Sequence, residues 1–448
     1  MDAARFPSET ADWLGVEEAL ERILEGAAPL PEVRLSLDRV LGHVLSRDVL
    51  APVSLPPWDN AGMDGYALRS SDLPTIPPGG LRLPVAGEVR AGTVQGDPPA
   101  PGTAVRIMTG APVPRGLDSV VRVEDTDGEA HQPGVVRILR DRDRGGNVRA
   151  GGEDMRAGDL LLAAGTSITP GRVGVLASAG ADPAPVIPRP RVVIVPTGDE
   201  LRRPSDFAPV LSGIAVPESN GPALSAACRA MGAHPHLLPP VPDDPGALRA
   251  ALGEALVEGD VLVTMGGASM GTADLVKDVL AEMGFVLEFW RVKMRPGSPF
   301  SFGHLPREGG RPLPVFGLPG NPASSFVTFQ LLVRPYLLRL AGESEIHRPV
   351  VEALAGTALK SHPDRTLFTR VILELDDAGG LVAVPTGPQG SGLVRSLGEA
   401  HGLAVVPAGA PCPAGTPVRV LLLDDGPAGA TEAGYLDSLR APSRPPDA

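Results

Sequence analysis

Cysteine is nearly absent. Cys228 and Cys412 are the only two in 448 residues, far apart and in segments expected to fold separately. That excludes a disulfide scaffold or a cysteine-bound zinc cluster and fits a reducing cytoplasm. Aromatic residues make up only 4% of the chain, too few for the stacking platforms that hold single-stranded nucleic acid. Basic charge is in the minority, with 40 Lys and Arg against 53 Asp and Glu, a net charge of −13. An extended nucleic-acid surface is therefore disfavoured, and any basic site must be local. No apolar run is long enough to cross a bilayer, and the N-terminal "MDAARFPSETADW" lacks the apolar stretch of a signal peptide. Neither a membrane nor a nucleic-acid partner is expected, and the expected location is cytoplasmic.

Glycine and proline, by contrast, are plentiful, at 55 and 51 residues. They predict many turns and short strands. The length exceeds what one core usually organises, so three or four domains are expected. Residues 14–50 have apolar spacing near 3.6, which predicts helices over "VEEALERILEG" and again over "LSLDRVLGHVLSRDVL". From Pro52 to about Asn147 short apolar runs alternate with Gly and Pro, as in "LPVAGEVRAG" and "AVRIMTGAPVP", predicting a small β-rich domain. Mixed character with the helical "GRVGVLASAG" returns over 148–182, so the β-rich part reads as an insertion into a discontinuous domain. From Arg191 strands and helices alternate, predicting a parallel sheet with its ligand crevice at the strand C-termini. Residues 350–424 return to β character and predict a small barrel or sandwich. The tail after Gly426 is low in apolar residues and is expected to be disordered.

Three acidic loops fall at expected strand ends of the α/β part: Asp199 with Glu200, Asp243 with Asp244, and Asp274. Converging on one crevice, they could hold Mg²⁺ beside a phosphorylated ligand. Taken singly, Asp243 and Asp244 also suit a helix start, and Asp274 suits a first helical turn. Within "GGASMGTADL" the glycines Gly266, Gly267 and Gly271 follow a buried strand and can bring backbone N–H groups to an anion. The spacing approaches a P-loop but the lysine is missing, which disfavours Walker-type ATP hydrolysis. "GLPGNPASS" sets Pro322 at a helix start, where it costs no backbone hydrogen bond. In "WRVKMRPGSP" Arg291, Lys293 and Arg295 share a face if extended. On a solvated edge they would oppose aggregation; facing the crevice they would bind oxyanions. Asp59, Asn60 and Asp64 in "LPPWDNAGMDGYAL", and Thr109 in "RIMTGAPVPRG", form a second dense region within the inserted domain.

At these segments the chain resembles the MoeA/gephyrin E-domain family of molybdopterin molybdenumtransferases, in order from about residue 12 to 424. The resemblance rests on "DNAGMDGYA", "AGEVRAG", "RIMTGAPVPRGLDSVV", "GNVRAGGEDMRAGDLLL", "PTGDEL", "PDDPGAL", "GGASMGTADLVKD", "RVKMRPGSPFSFG", "FGLPGNPASS" and "GPQGSG". It implies an elongated four-domain homodimer: a discontinuous helical domain (12–50 and 147–182), an inserted β-rich domain (51–146), a central α/β, MogA-like molybdopterin-binding domain (183–346) and a C-terminal β-barrel (347–425), with a tail over 426–448. It also implies an active cleft between subunits. Its carried-over catalytic positions are Asp59, Thr109, Glu200, Asp243 and Asp274, with Asp243 and Asp274 as metal ligands. The implied substrate-binding positions are Arg149, Asp154, Gly266, Gly267, Ser269, Gly271, Arg291, Lys293, Arg295, Pro319, Pro322 and Ser391.

Some positions depart from the family's pattern. Arg295 and Ser298 replace the usual lysines of "M-K-P-G-K-P", Ala61 replaces a serine, and Glu218 stands where Asp often precedes "S-N". The implied reaction inserts molybdate into adenylylated molybdopterin with release of AMP, aided by Mg²⁺ or another divalent metal. The molybdopterin-adenylating enzyme and molybdoenzyme apoproteins are the implied partners. The rival readings are a molybdopterin adenylyltransferase and a gephyrin-like scaffold or cofactor carrier without turnover.

Overall fold

A computed structural model describes residues 13–92, 97–266 and 275–423. They fall into two compact units, one within Met1–Val33, Gly42–Ser46 and Val186–Ala448, the other within Arg34–Leu41 and Arg47–Pro185.

The first unit is organised by a six-stranded sheet. Its central strands, Arg191–Pro196, Val261–Met265 and Leu313–Leu318, are almost wholly buried. Near-continuous apolar runs of this kind suit strands covered on both faces. The spatial order is His234–Leu237, Arg191–Pro196, Val261–Met265, Leu313–Leu318, Ser301–Leu305, Val286–Trp290. The expected parallel sheet is corrected in one respect: Ser301–Leu305 runs antiparallel to both its neighbours. The link from Ser301–Leu305 to Leu313–Leu318 is too short for a helical crossover, so the chain returns as a hairpin.

Helices Asn220–Ala230, Pro245–Glu258 and Leu275–Glu282 connect the strands. Asp244 caps the second of these, its side chain accepting the Ala247 N–H at 2.8 Å. Helix Val16–Glu25 buries Ala19 and Ile23, one turn apart, in the same core as Val192, Val263 and Phe316. The helix begun at Pro322 widens to a π-turn over Phe329–Val333. Pro335 follows at once and has no N–H to give, which disturbs the α ladder there.

The C-terminal strands Val350–Ala355, Leu381–Pro385, Thr366–Leu375, Gly402–Val406 and Pro417–Leu422 pair in a closed ring, a five-stranded barrel. Closure leaves no free edge.

In the second unit, Ser119–Arg122, Gly65–Leu68, Ala104–Ile107, Leu81–Val89 and Val135–Ile138 form one sheet in that order. Helix Pro170–Ser178 forms as expected. The helix expected over "LSLDRVLGHVLSRDVL" does not. That stretch holds turns, the short strands Val44–Leu45 and Val49–Leu50, and Gly42 at φ +73°. A left-handed residue interrupts a right-handed helix, and adjacent apolar pairs suit short strands equally well.

Candidate active site

Strands Arg191–Pro196 and Val261–Met265 lie side by side, but the next strand in sequence after each lies on opposite sides, so the order reverses between them. Such a reversal opens a crevice beyond the strand C-termini. Backbone bonds carry the sheet one step past its strands. The Thr197 N–H and hydroxyl both reach the Met265 carbonyl, at 3.0 and 3.1 Å, and the Gly266 N–H reaches Leu318 at 3.3 Å. These bonds hold three turns around a cavity of about 580 Å³, whose wall includes Glu200, Glu218, Asn220, Gly266, Asn321 and Pro322. Gly266 has φ +99°, and a Cβ there would lie 2.6 Å from Thr197 Oγ1. Only glycine lets the two turns approach so closely.

The crevice is acidic on one side. Glu218 is 4% exposed, and its carboxylate accepts the Gly221 N–H at 2.7 Å. Burial pushes its pKa up, against the N–H groups of Gly221 and Asn220 and the charge of Arg203. Asn220 Nδ2 donates to the Gly320 carbonyl at 2.7 Å, joining the helix start to the "LPGNP" turn. In the next loop the Asp243 N–H binds Asp199 Oδ1 at 3.1 Å, which joins two of the three acidic loops.

Of the sequence-derived positions, Glu200, Gly266 and Pro322 line this cavity. Pro319 belongs to the same turn, and the Ser391 carbonyl accepts the Ala323 N–H at 2.9 Å, so Ser391 sits on the loop that closes one side. Asp243 is in the adjoining loop. Gly267, Ser269, Gly271 and Asp274 lie outside the described residues.

The cationic strand goes elsewhere. Arg295 lines a separate cavity of about 530 Å³ with Lys360, His362, Gln389 and Gly390, against the barrel. Arg291 has φ +75° and lays its guanidinium over Trp290 at 4.1 Å and Trp13 at 5.0 Å. Lys293 is exposed, while Val292 and Met294 on either side are fully buried. Ser298 is buried and receives Nη1 of Arg365 at 3.4 Å; Arg365 in turn stacks on Trp13 at 4.7 Å. Arg365 thus brings a guanidinium to Ser298, the position at which the resemblance implies a lysine.

In the second unit, the Asp59 carboxylate accepts the Gly151 N–H at 2.8 Å, and Arg149 pairs with Asn60 in a short ladder. Both the N–H and the hydroxyl of Thr109 donate to Asp64 Oδ1, at 2.6 and 2.7 Å, which holds the Asp64 pKa down. Asp64 therefore has a structural task beyond turn formation. Asp154 lines a shallow cavity with Asp159, Gly171 and Gly174.

Sequence reasoning missed Arg370, Lys360 and His362, and treated Glu218 only as a departure. Arg370 is fully buried. It donates from Nε to Ser396 at 2.8 Å and from Nη2 to the Gly390 carbonyl at 3.1 Å, with Nη1 unpartnered. Its only trace in sequence is a lone cation in the apolar strand "LFTRVIL".

Three family models match the chain. They are the MoeA N-terminal region (domain I and II) over residues 14–180, a probable molybdopterin binding domain over 193–339, and the MoeA C-terminal region (domain IV) over 352–423. "Molybdopterin molybdenumtransferase 2" of Mycobacterium tuberculosis is 36% identical over 398 residues, covering 88% of this chain and 95% of its own. "Molybdopterin molybdenumtransferase" of Staphylococcus aureus is 31% identical over 403 residues, covering 90% and 93%. Among solved structures, a molybdopterin biosynthesis MoeA protein from Pyrococcus horikoshii superposes with a TM-score of 0.77 at 29% identity, over 92% of this chain and all of its own.

Proposed function

Because this chain belongs to the MoeA family, we propose that it is a molybdopterin molybdenumtransferase, inserting molybdate into adenylylated molybdopterin with release of AMP. The observation that carries the reading is the preformed crevice at the sheet's reversal point, walled by Glu200, Glu218, a glycine that tolerates no side chain and the "LPGNP" turn. Such a cavity suits a flat heterocycle carrying phosphate, with backbone N–H groups available to the anion.

Asp243 and Asp274 are the positions read as meeting the metal or the linked phosphates, Glu200 and Asp59 those read as placing the substrate, and the breaking bond is the one between its two phosphoryl groups. Asp59 and Thr109 are the further catalytic positions that the family resemblance implies, and Arg149, Asp154, Pro319, Pro322 and Ser391 are the implied substrate-binding positions. Gly266 belongs to the proposed anion cradle; Gly267, Ser269 and Gly271, the other positions implied for it, lie outside the described residues. Of the three implied cations, Lys293 and Arg295 supply positive charge for molybdate, with Arg295 in its own cavity beside Lys360 and His362, while Arg291 is stacked on Trp290 and Trp13.

Among the described residues no group of three metal-binding side chains occurs. Mg²⁺ fits nonetheless, because it commonly takes one or two carboxylates and fills its shell with phosphate oxygens and water. Asp243 and Asp274 would hold it. When bound, it would offset the repulsion between carboxylates and phosphate. The enzyme is read as a cytoplasmic homodimer whose subunits share the cleft, taking substrate from the adenylating enzyme and passing product to molybdoenzyme apoproteins.

Purified protein given adenylylated molybdopterin, Mg²⁺ and molybdate should release AMP in proportion to cofactor formed. Absence of molybdate-dependent AMP release at every metal concentration would refute the assignment. Consumption of ATP with free molybdopterin would instead favour an adenylyltransferase.

A further inference from the structure

Glu218 is the most deeply buried carboxylate on the crevice wall, and no described cation forms an ion pair with it. As a helix cap it serves two backbone N–H groups, that of Gly221 at 2.7 Å and that of Asn220. A carboxylate has about four acceptor sites, and leaving a charge nearly out of water is costly unless something satisfies the rest. The position of Glu218 is also fixed. The backbone N–H of Glu218 is held by the Arg202 carbonyl at 2.8 Å, and Asn220 Nδ2 ties the following helix to the opposite wall.

We propose that Glu218 reads the 2-amino-pyrimidinone edge of the pterin ring, accepting hydrogen bonds from its 2-amino group and N3–H. This rests on the reading of the crevice as the substrate site. Two parallel N–H donors match one carboxylate in the bidentate manner that guanidinium groups use. Adenine offers a donor beside an acceptor, so it cannot make the same pair. Glu218 is thus a specificity-determining residue that selects the pterin half of the substrate.

The test needs no turnover. Binding of pterin and of lumazine, which carries oxygen in place of the 2-amino group, is followed by their own fluorescence, with AMP as a third probe. The wild-type protein should prefer pterin on the order of tenfold, the worth of one bidentate pair. Glu218→Gln keeps an acceptor for Gly221 and should bring the pterin-to-lumazine ratio close to one. Glu218→Asp should retain part of the preference, and AMP affinity should stay unchanged in both. Thermal melts establish that each variant is folded. An unchanged ratio in Glu218→Gln, no preference in the wild type, or loss of AMP rather than pterin selectivity would each overturn the proposal. Failure of molybdate-dependent AMP release would refute the enzyme assignment instead, with the binding ratio still readable.

Discussion

Two cavities of the same unit meet at one loop and differ in charge. The crevice beyond the sheet presents Glu200 and Glu218; the cavity against the barrel presents Arg295, Lys360 and His362. Gln389 and Gly390 line the second, and Gly392 lines the first. The acidic cavity is built from backbone: strand ends, glycines and prolines fix its shape, and its carboxylates sit on that frame. The basic cavity is built from side chains, with long cations whose positions depend on what they lean against. The proposed function thereby assigns shape-reading and charge-supplying to different cavities of a protein whose net charge is −13.

The sharpest break of that contrast is on the acidic side. Asp243→Ala and Glu200→Ala should each lower molybdate-dependent AMP release by on the order of a hundredfold, the usual cost of removing a group that acts only in the transition state. A variant that keeps full kcat would remove that residue from the catalytic set. On the basic side the loss should be smaller and should fall on a different parameter. Arg295→Ala should raise the apparent KM for molybdate about tenfold with little change in KM for adenylylated molybdopterin. Arg295→Lys should restore charge but not the bidentate fork, giving a partial rescue. Equal changes in both KM values would mean the two cavities are not separate in function.

The two cavities were also unequally legible in the sequence. The acidic one is readable because strand-loop-helix grammar puts loop residues at strand ends, which assigns Glu200, Gly266 and Pro322 to the crevice end of the sheet. The basic one could not. Arg295 and Lys360 are separated by 65 positions in sequence and meet only through the parallel pairing of Met294–Arg295 with the barrel strand Thr366–Leu375. Period-2 reasoning set Arg291, Lys293 and Arg295 on one face; Val292 and Met294 between them are buried, but the left-handed Arg291 breaks the extended register. That reasoning gave no hint that Arg291 would be spent on two indole rings. Residues 35–50 failed for a different reason: leucines and valines spaced at three and four fit a helix or paired short strands, and Gly42 decided between them.

The loop shared by both cavities depends on Arg370. Arg370→Lys keeps a charge but cannot reach Ser396 and Gly390 together. It should cost about 2 kcal/mol of stability, the scale of a buried charge-assisted hydrogen bond lost, visible as a lower denaturation midpoint. If Arg370 serves the loop rather than one cavity, both KM values should rise together. That outcome differs from Arg295→Ala, which should move only one.

The smallest expected effect concerns pH and belongs to the acidic side alone. Burial raises the folded-state pKa of Glu218 above its value in the unfolded chain. Between those two values the folded protein holds a proton that the unfolded chain has lost, so stability contributed by protonated Glu218 is present below the unfolded pKa and declines as pH rises through the folded one. Glu218→Gln removes this dependence. Its melting temperature should therefore gain on that of the wild type as pH is raised from about 4 to about 7, starting from the ordinary glutamate range. Bound pterin should act in the opposite sense on the wild type, because two N–H donors favour the ionised carboxylate and lower its pKa. The pH dependence of the difference should then shrink in saturating pterin and persist in saturating lumazine. A difference that stays flat with pH in the free protein would mean that the carboxylate is better solvated than its position on the crevice wall implies.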